Sequence, residues 1–116
     1  MTVKELGEKG IFQIVSRGND MDRTIESVFC CDLLSIAMGR APAGCAWITV
    51  MANINTLAVA SLADAACVIM AEGVKLDDMA LKKAEQQGIC VMKTDKPVFE
   101  AALAVYEEIE YGKPVL

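Results

Sequence analysis

The chain has 116 residues, enough for one domain around one core, and a net charge of −5 from 16 acidic and 11 basic side chains. No basic stripe is present to neutralise a nucleic-acid backbone, and no apolar run is long enough to span a bilayer. There is no histidine, which excludes a His-based triad and a His-ligated metal centre.

Hydrophobic residues make up 54% of the chain but aromatic ones only 5%, so the core must be assembled from aliphatic and small side chains. An apolar excess of this size predicts that some surface is covered by a second subunit, and a homodimer is the expected assembly. No apolar stretch follows the charges of residues 2–6, so no signal peptide is expected and the cytoplasm is the expected compartment. The five cysteines, Cys30, Cys31, Cys45, Cys67 and Cys90, are odd in number and form no C-x-x-C pair. They read as reduced thiols rather than as a disulfide framework or a zinc site. No cofactor and no metal is expected.

In chain order, residues 2–9 predict a short helix, with Thr2 and Glu5 at capping-box spacing and Gly10 as its stop. Residues 11–15 predict a strand, 17–20 a turn, and 24–31 a second strand. The link between these strands is too short for a helical crossover, so they are expected to pair or lie close. Asp32 is expected to cap a helix over 33–38, with Leu33, Leu34, Ala37 and Met38 on its buried side. A loop over 39–44 leads to a strand at 46–50. A helix follows with Ile54, Leu57, Ala58, Ser61 and Leu62 at helical spacing and Asn53 or Asn55 as cap.

Residues 67–70 predict a strand, 77–87 a helix opened by Asp77 and stopped by Gly88, and 89–92 another strand. Pro97 suits the first turn of a last helix, whose apolar face reads Phe99, Leu103 and Tyr106 and whose end is marked by Gly112 and Pro114. Strands and helices alternating at this spacing predict a parallel sheet, and the continuously apolar strands predict that both faces are covered. The expected fold is a single-domain α/β sandwich over residues 1–116, parallel in its C-terminal portion and mixed in its N-terminal portion.

In such a sheet ligands lie beyond the carboxyl ends of the strands. Three loops reach that edge, at residues 51–56, 71–75 and 93–96. In the first, Asn53, Asn55 and Thr56 cluster where a helix N-terminus attracts an anion, although capping alone also accounts for an Asn there. Thr94 and Asp95 read as caps of the last helix, and Lys75 and Lys96 are the cations placed to meet an anionic ligand. Asp22 and Asp32 flank one strand, roughly 30 Å apart if it is fully extended, too far for an acid–base pair. Asp22-Arg23 reads as a local ion pair or turn lock.

The segment from Asp22-Arg23 to Asp32-Leu33-Leu34 resembles the DRTGG domain. The resemblance continues through Trp47-Ile48-Thr49-Val50, Asn55 with Ala58-Val59-Ala60, Val68-Ile69 before Gly73, and Glu85-Gln86-Gln87-Gly88. Glu26-Ser27-Val28 stands where that family has Thr-Gly-Gly, and Asn53 stands where it often has a histidine. The resemblance implies a fold related to the N-terminal domain of HPr kinase and a role as a regulatory module, alone or beside CBS domains. The expected function is therefore a non-enzymatic regulatory or ligand-sensing domain that binds a small anionic metabolite or nucleotide. Its expected contacts are Asn53, Asn55, Thr56, Arg23 and Thr94. The alternative is a protein-interaction subunit of a kinase or oxidoreductase system with no small ligand. A third reading, an enzyme using Cys30 or Cys31 as nucleophile, needs an activating cation, and Arg23 would have to supply it.

Overall fold

A computed structural model describes residues 1–111; the expected stop at Gly112 and Pro114 lies outside them. Ten elements follow in order: α1 (Val3–Glu8), β1 (Gln13–Ser16), β2 (Ser27–Cys30), α2 (Leu34–Arg40), β3 (Cys45–Thr49), α3 (Ile54–Ala63), β4 (Cys67–Met70), α4 (Asp78–Gln87), β5 (Val91–Lys93) and α5 (Val98–Tyr111). The strands form one sheet in the order β1-β5-β4-β3-β2. β2, β3, β4 and β5 are parallel, and β1 joins β5 antiparallel, Gln13 opposite Lys93 and Ile14 opposite Met92. The expected α/β sandwich with a mixed sheet is the fold observed.

The two faces of the sheet carry separate cores, as period-two alternation requires. Ala46, Ile48, Cys67, Ile69 and Met92 point to one face, where Val3 and Leu6 of α1 and Ala101, Val105 and Ile109 of α5 cover them. Cys45, Trp47, Val68, Met70 and Val91 point to the other, under Ala37 of α2, Leu57 and Ala60 of α3, and Ala80 and Ala84 of α4. Every residue of β3 and β4 is buried, which is why these strands are apolar without alternation. The Cα radius of gyration, 12.8 Å, is that of one domain of this length, about 13 Å.

Three expectations need correction. β1 and β2 neither pair nor lie close; they are the two opposite edges of the sheet. The excluded helical crossover was not needed. Ten extended residues reach roughly 33 Å, while four strand spacings are about 19 Å, so the link simply runs along the amino edge of the parallel strands. It is held there by Asn19 N–H to Gly88 O, Lys4 N–H to Met21 O, Val3 N–H to Arg23 O, and Glu26 N–H to Gly44 O. Residues 24–26, expected in β2, serve this passage: Met1 O accepts from Ile25 N–H, and Thr2 bridges Thr24.

Asp32 does not cap α2. The position before that helix is Leu33, which makes no side-chain cap, and Leu33 and Met38 are exposed while Ala37 is buried. On α5 the buried line is Ala101, Val105 and Ile109, whereas Phe99 is 73% exposed and Tyr106 53%. The small side chains let the helix approach the sheet closely, and that selects their stripe over the larger one. Other caps are as expected. Thr2 and Glu5 form the capping box, Asn53 caps α3, Asp77 caps α4 through Ala80 N–H, and Gly88 ends α4 at φ 66°.

Candidate functional site at the carboxyl edge

The helices after β3 and β4 lie on one face of the sheet, and the helix after β5 lies on the other. Neighbouring chains that leave to opposite faces open a crevice beyond the strand ends, and here that place is between β4 and β5. A cleft of about 440 Å³ lies there. The turn after β4 gives it Gly73 and Lys75, the end of β5 gives Lys93, Thr94, Asp95 and Lys96, and the start of β1 gives Gly10 to Gln13.

The two loops are tied to each other. Glu72 N–H donates to Lys96 O at 2.9 Å and Gly73 N–H to Thr94 O at 3.0 Å. Glu72 (φ 60°) and Gly73 (φ 72°) are both left-handed, a tight turn that glycine makes easy and that strains a glutamate. The strain at Glu72 is offset by a bond that glycine could not make. Its Oε2 accepts from Val98 N–H at 3.0 Å, capping α5 from outside. The expected caps, Thr94 and Asp95, do not do this. Thr94 Oγ1 accepts instead from Lys96 N–H at 3.2 Å, which shapes the loop carrying the lysine. Three lysines and one aspartate therefore line the cleft, a net +2 on a chain of net −5.

The first-loop residues share this edge, two strands away, roughly 10 Å along it. Asn53 Oδ1 accepts from Asn55 N–H at 2.9 Å and Thr56 N–H at 3.2 Å, so its own side chain occupies the anion-attracting position of α3. Asn53 and Asn55 are exposed; Thr56 is fully buried, with no hydrogen-bond partner for its hydroxyl. The loop before them is braced by Asp32. Its Oδ1 accepts from Thr49 Oγ1 at 2.7 Å and from Val50 N–H at 2.9 Å, while Thr49 Oγ1 accepts from Met51 N–H at 3.2 Å.

Arg23 is not at this edge. It forms a two-pronged pair with Asp64, 2.6 and 2.9 Å, at the far end of α3. The length of that ten-residue helix, roughly 15 Å, separates it from Asn53. It pairs with Asp64, not with its neighbour Asp22. The pair raises Arg23 above its usual pKa and holds the Asp64 carboxyl below its own, in both cases chiefly through the hydrogen bond between them. It lines a second cleft of about 200 Å³ with Asn19, Ser61, Gln87 and Cys90.

Of the residues singled out from the sequence, Thr94 therefore lies in the carboxyl-edge cleft, Asn53, Asn55 and Thr56 lie along the same edge, and Arg23 lies opposite. Sequence reasoning placed the loops that carry Lys75, Lys93 and Lys96 at this edge, singling out Lys75 and Lys96 as cations, but missed the residues before β1, because β1 was not expected beside β5.

The thiols do not suggest a nucleophile. Burial first, then Asp32, pushes the exposed Cys30 upward, away from the thiolate. Burial lifts Cys45 to about 11. Among the described residues no cluster of acids and cysteines has the geometry to hold a metal, and no helix is long and apolar enough to cross a membrane.

No protein-family model matches the chain, and no curated protein does. Among solved structures, a similar one holds the CBS and DRTGG domains of the regulatory region of Clostridium perfringens pyrophosphatase, complexed with its activator, diadenosine tetraphosphate. The TM-score is 0.71 at 11% identity, over 88% of this chain and 44% of that one. The likeness is one of fold, and this chain spans less than half the length of that neighbour.

Proposed function

We propose that this chain is a DRTGG-type regulatory domain that senses a small anionic metabolite or nucleotide at its carboxyl-edge cleft, without catalysing a reaction. The observation that carries the reading is the gathering of Lys75, Lys93 and Lys96 around one crevice of an otherwise acidic protein. Cations lining a concave site focus the field there and draw in counter-charge that the rest of the surface repels. The similar fold of a regulatory region that binds a nucleotide activator supports the same class of role. A ligand reaching about 10 Å along the edge would extend from the lysines to Asn55, which gives the first loop its part. We place the domain in the cytoplasm, in keeping with five unpaired thiols.

Thermal-shift and calorimetric titration against pyrophosphate, acetyl phosphate, AMP and ATP test this. At least one should raise the melting temperature of the wild type, and Lys93→Ala with Lys96→Ala should abolish the rise. If none of them binds, or if the double variant binds as well as the wild type, the cleft is not the sensing site.

A further inference from the structure

We propose that the free edge of β2 is the interface with a second copy of this chain, the two β2 strands pairing antiparallel about a two-fold axis with the two α5 helices packed side by side across it. Among the described residues β2 bonds to β3 alone, which leaves its outer side open. Nine large hydrophobic side chains are exposed among the described residues. Six of them belong to α5 and to α2 with the residue before it: Phe99, Leu103 and Tyr106, and Leu33, Ile36 and Met38.

The α5 residues form one flank of that helix. At 100° per residue, Tyr106 and Phe99 lie about 100–120° to one side of the buried Ala101–Val105–Ile109 line and Leu103 about 160°, at the outer margin of that flank, with Glu108 about 60° to the other side. Glu108 pairs with Lys9 at 3.2 Å, at the end of α1, so it marks the flank turned toward α1. Phe99, Leu103 and Tyr106 are on the flank turned away. α5 packs over β2 and β3, so that flank looks out past the sheet edge.

The spacing fits a two-fold. Strands lie about 4.8 Å apart, so a helix seated over β2 and β3 is about 5 Å from an axis half a spacing outside β2, and about 10 Å from its own copy. Helices pack at 8–10 Å. On the other face α2, packed beside α3, carries Leu33, Ile36 and Met38, each about half exposed, at the outer end of its layer. The six side chains together expose roughly 700 Å², close to the ~800 Å² per partner of a stable interface. At 100° per residue Glu100 and Glu107 lie on the outer face of α5, off the flank that carries Phe99 and Tyr106, so an antiparallel copy brings these aromatic rings together without burying those acids. A second copy is therefore favoured over a partner that would need basic groups there.

The test is sedimentation equilibrium of the full chain, with hydrogen exchange alongside. The wild type should have twice the 12.5 kDa chain mass. Leu103→Glu and Phe99→Glu should each weaken association at least tenfold. The β2 amides should lose protection in those variants while β4 keeps its own. Leu62→Glu, at an exposed apolar site on α3, should leave the dimer intact. Phe99 is the more exposed target, so its variant remains informative if Leu103→Glu fails to fold. A wild type that stays monomeric at about 100 μM leaves the flank to a different protein and overturns the proposal. So does a dimer that survives both substitutions.

Discussion

Removing the Asp32 carboxylate should loosen the carboxyl edge without disturbing the helix that follows it. In Asp32→Ala two donors lose their acceptor. Val50 N–H is near solvent and water replaces most of what it loses. Thr49 is fully buried, and its hydroxyl gave a 2.7 Å bond to a charged oxygen. Such a bond contributes roughly 1.5–3 kcal/mol, and a buried hydroxyl without it is poorly compensated, so the expected loss is about 2 kcal/mol. For a domain of this size that lowers Tm by about 8 °C. Asp32→Asn keeps a neutral acceptor at Oδ1 and should cost about half as much. Urea unfolding followed by circular dichroism measures both, and amide exchange should show faster opening at residues 50–52 with α2 unchanged. Equal costs for the two variants, or an Asp32→Ala effect under about 0.5 kcal/mol, would refute the reasoning. Fraying of α2 alone would restore the helix-cap role expected from the sequence.

Two further predictions concern the ties between elements. The Arg23–Asp64 pair lowers the Asp64 pKa, so its stabilisation is complete above the ordinary carboxylate value and fades as pH falls through the lowered folded value. Asp64→Asn, which still tolerates the left-handed φ of 60°, should be less stable than the wild type by under about 1 kcal/mol at pH 7. Urea titrations should find that gap shrinking as pH falls below the ordinary carboxylate range; a gap of constant size would show that the pair is not its source. At Glu72 two effects oppose. Glu72→Ala loses the α5 cap and keeps the strain, costing about 1 kcal/mol, while Glu72→Gly loses the cap but relieves the φ and should come within about 0.5 kcal/mol of the wild type. Thermal melts in which alanine is the more stable of the two would contradict this.

Local chemistry was legible in the sequence. Asp77 and Gly88 bracket α4, Asn53 caps α3 and residues 67–70 are β4, because caps and continuously apolar strands depend on a few adjacent residues. Choices made by tertiary packing were not. α5 is apolar on most of its circumference, and periodicity alone admits both Phe99–Leu103–Tyr106 and Ala101–Val105–Ile109 as the buried stripe. Asp32 looked like a cap because it precedes a helix, while its partners Thr49 and Val50 are 17 and 18 residues away. The lysine cleft was half visible, since Lys75, Lys93 and Lys96 lie on loops that were expected at the carboxyl edge, but the wall before β1 depends on which strand β1 joins.

That last pairing bears on the order in which the molecule can be made. Among the described residues β1 is the first strand, yet its only neighbour is the last: Gln13 meets Lys93 across 80 residues. The β2-β3-β4-β5 series grows by successive local units, each strand adding beside the one before it. β1 must wait for all of them, because it has no ladder to join until β5 exists. Closing so long a loop adds little to the final thermodynamic cost but slows the step that achieves it. On a ribosome β1 would remain without its sheet partner until β5 had emerged. Docking of β1, which also closes the wall of the lysine cleft, is then a late event of folding, open only once β5 is in place.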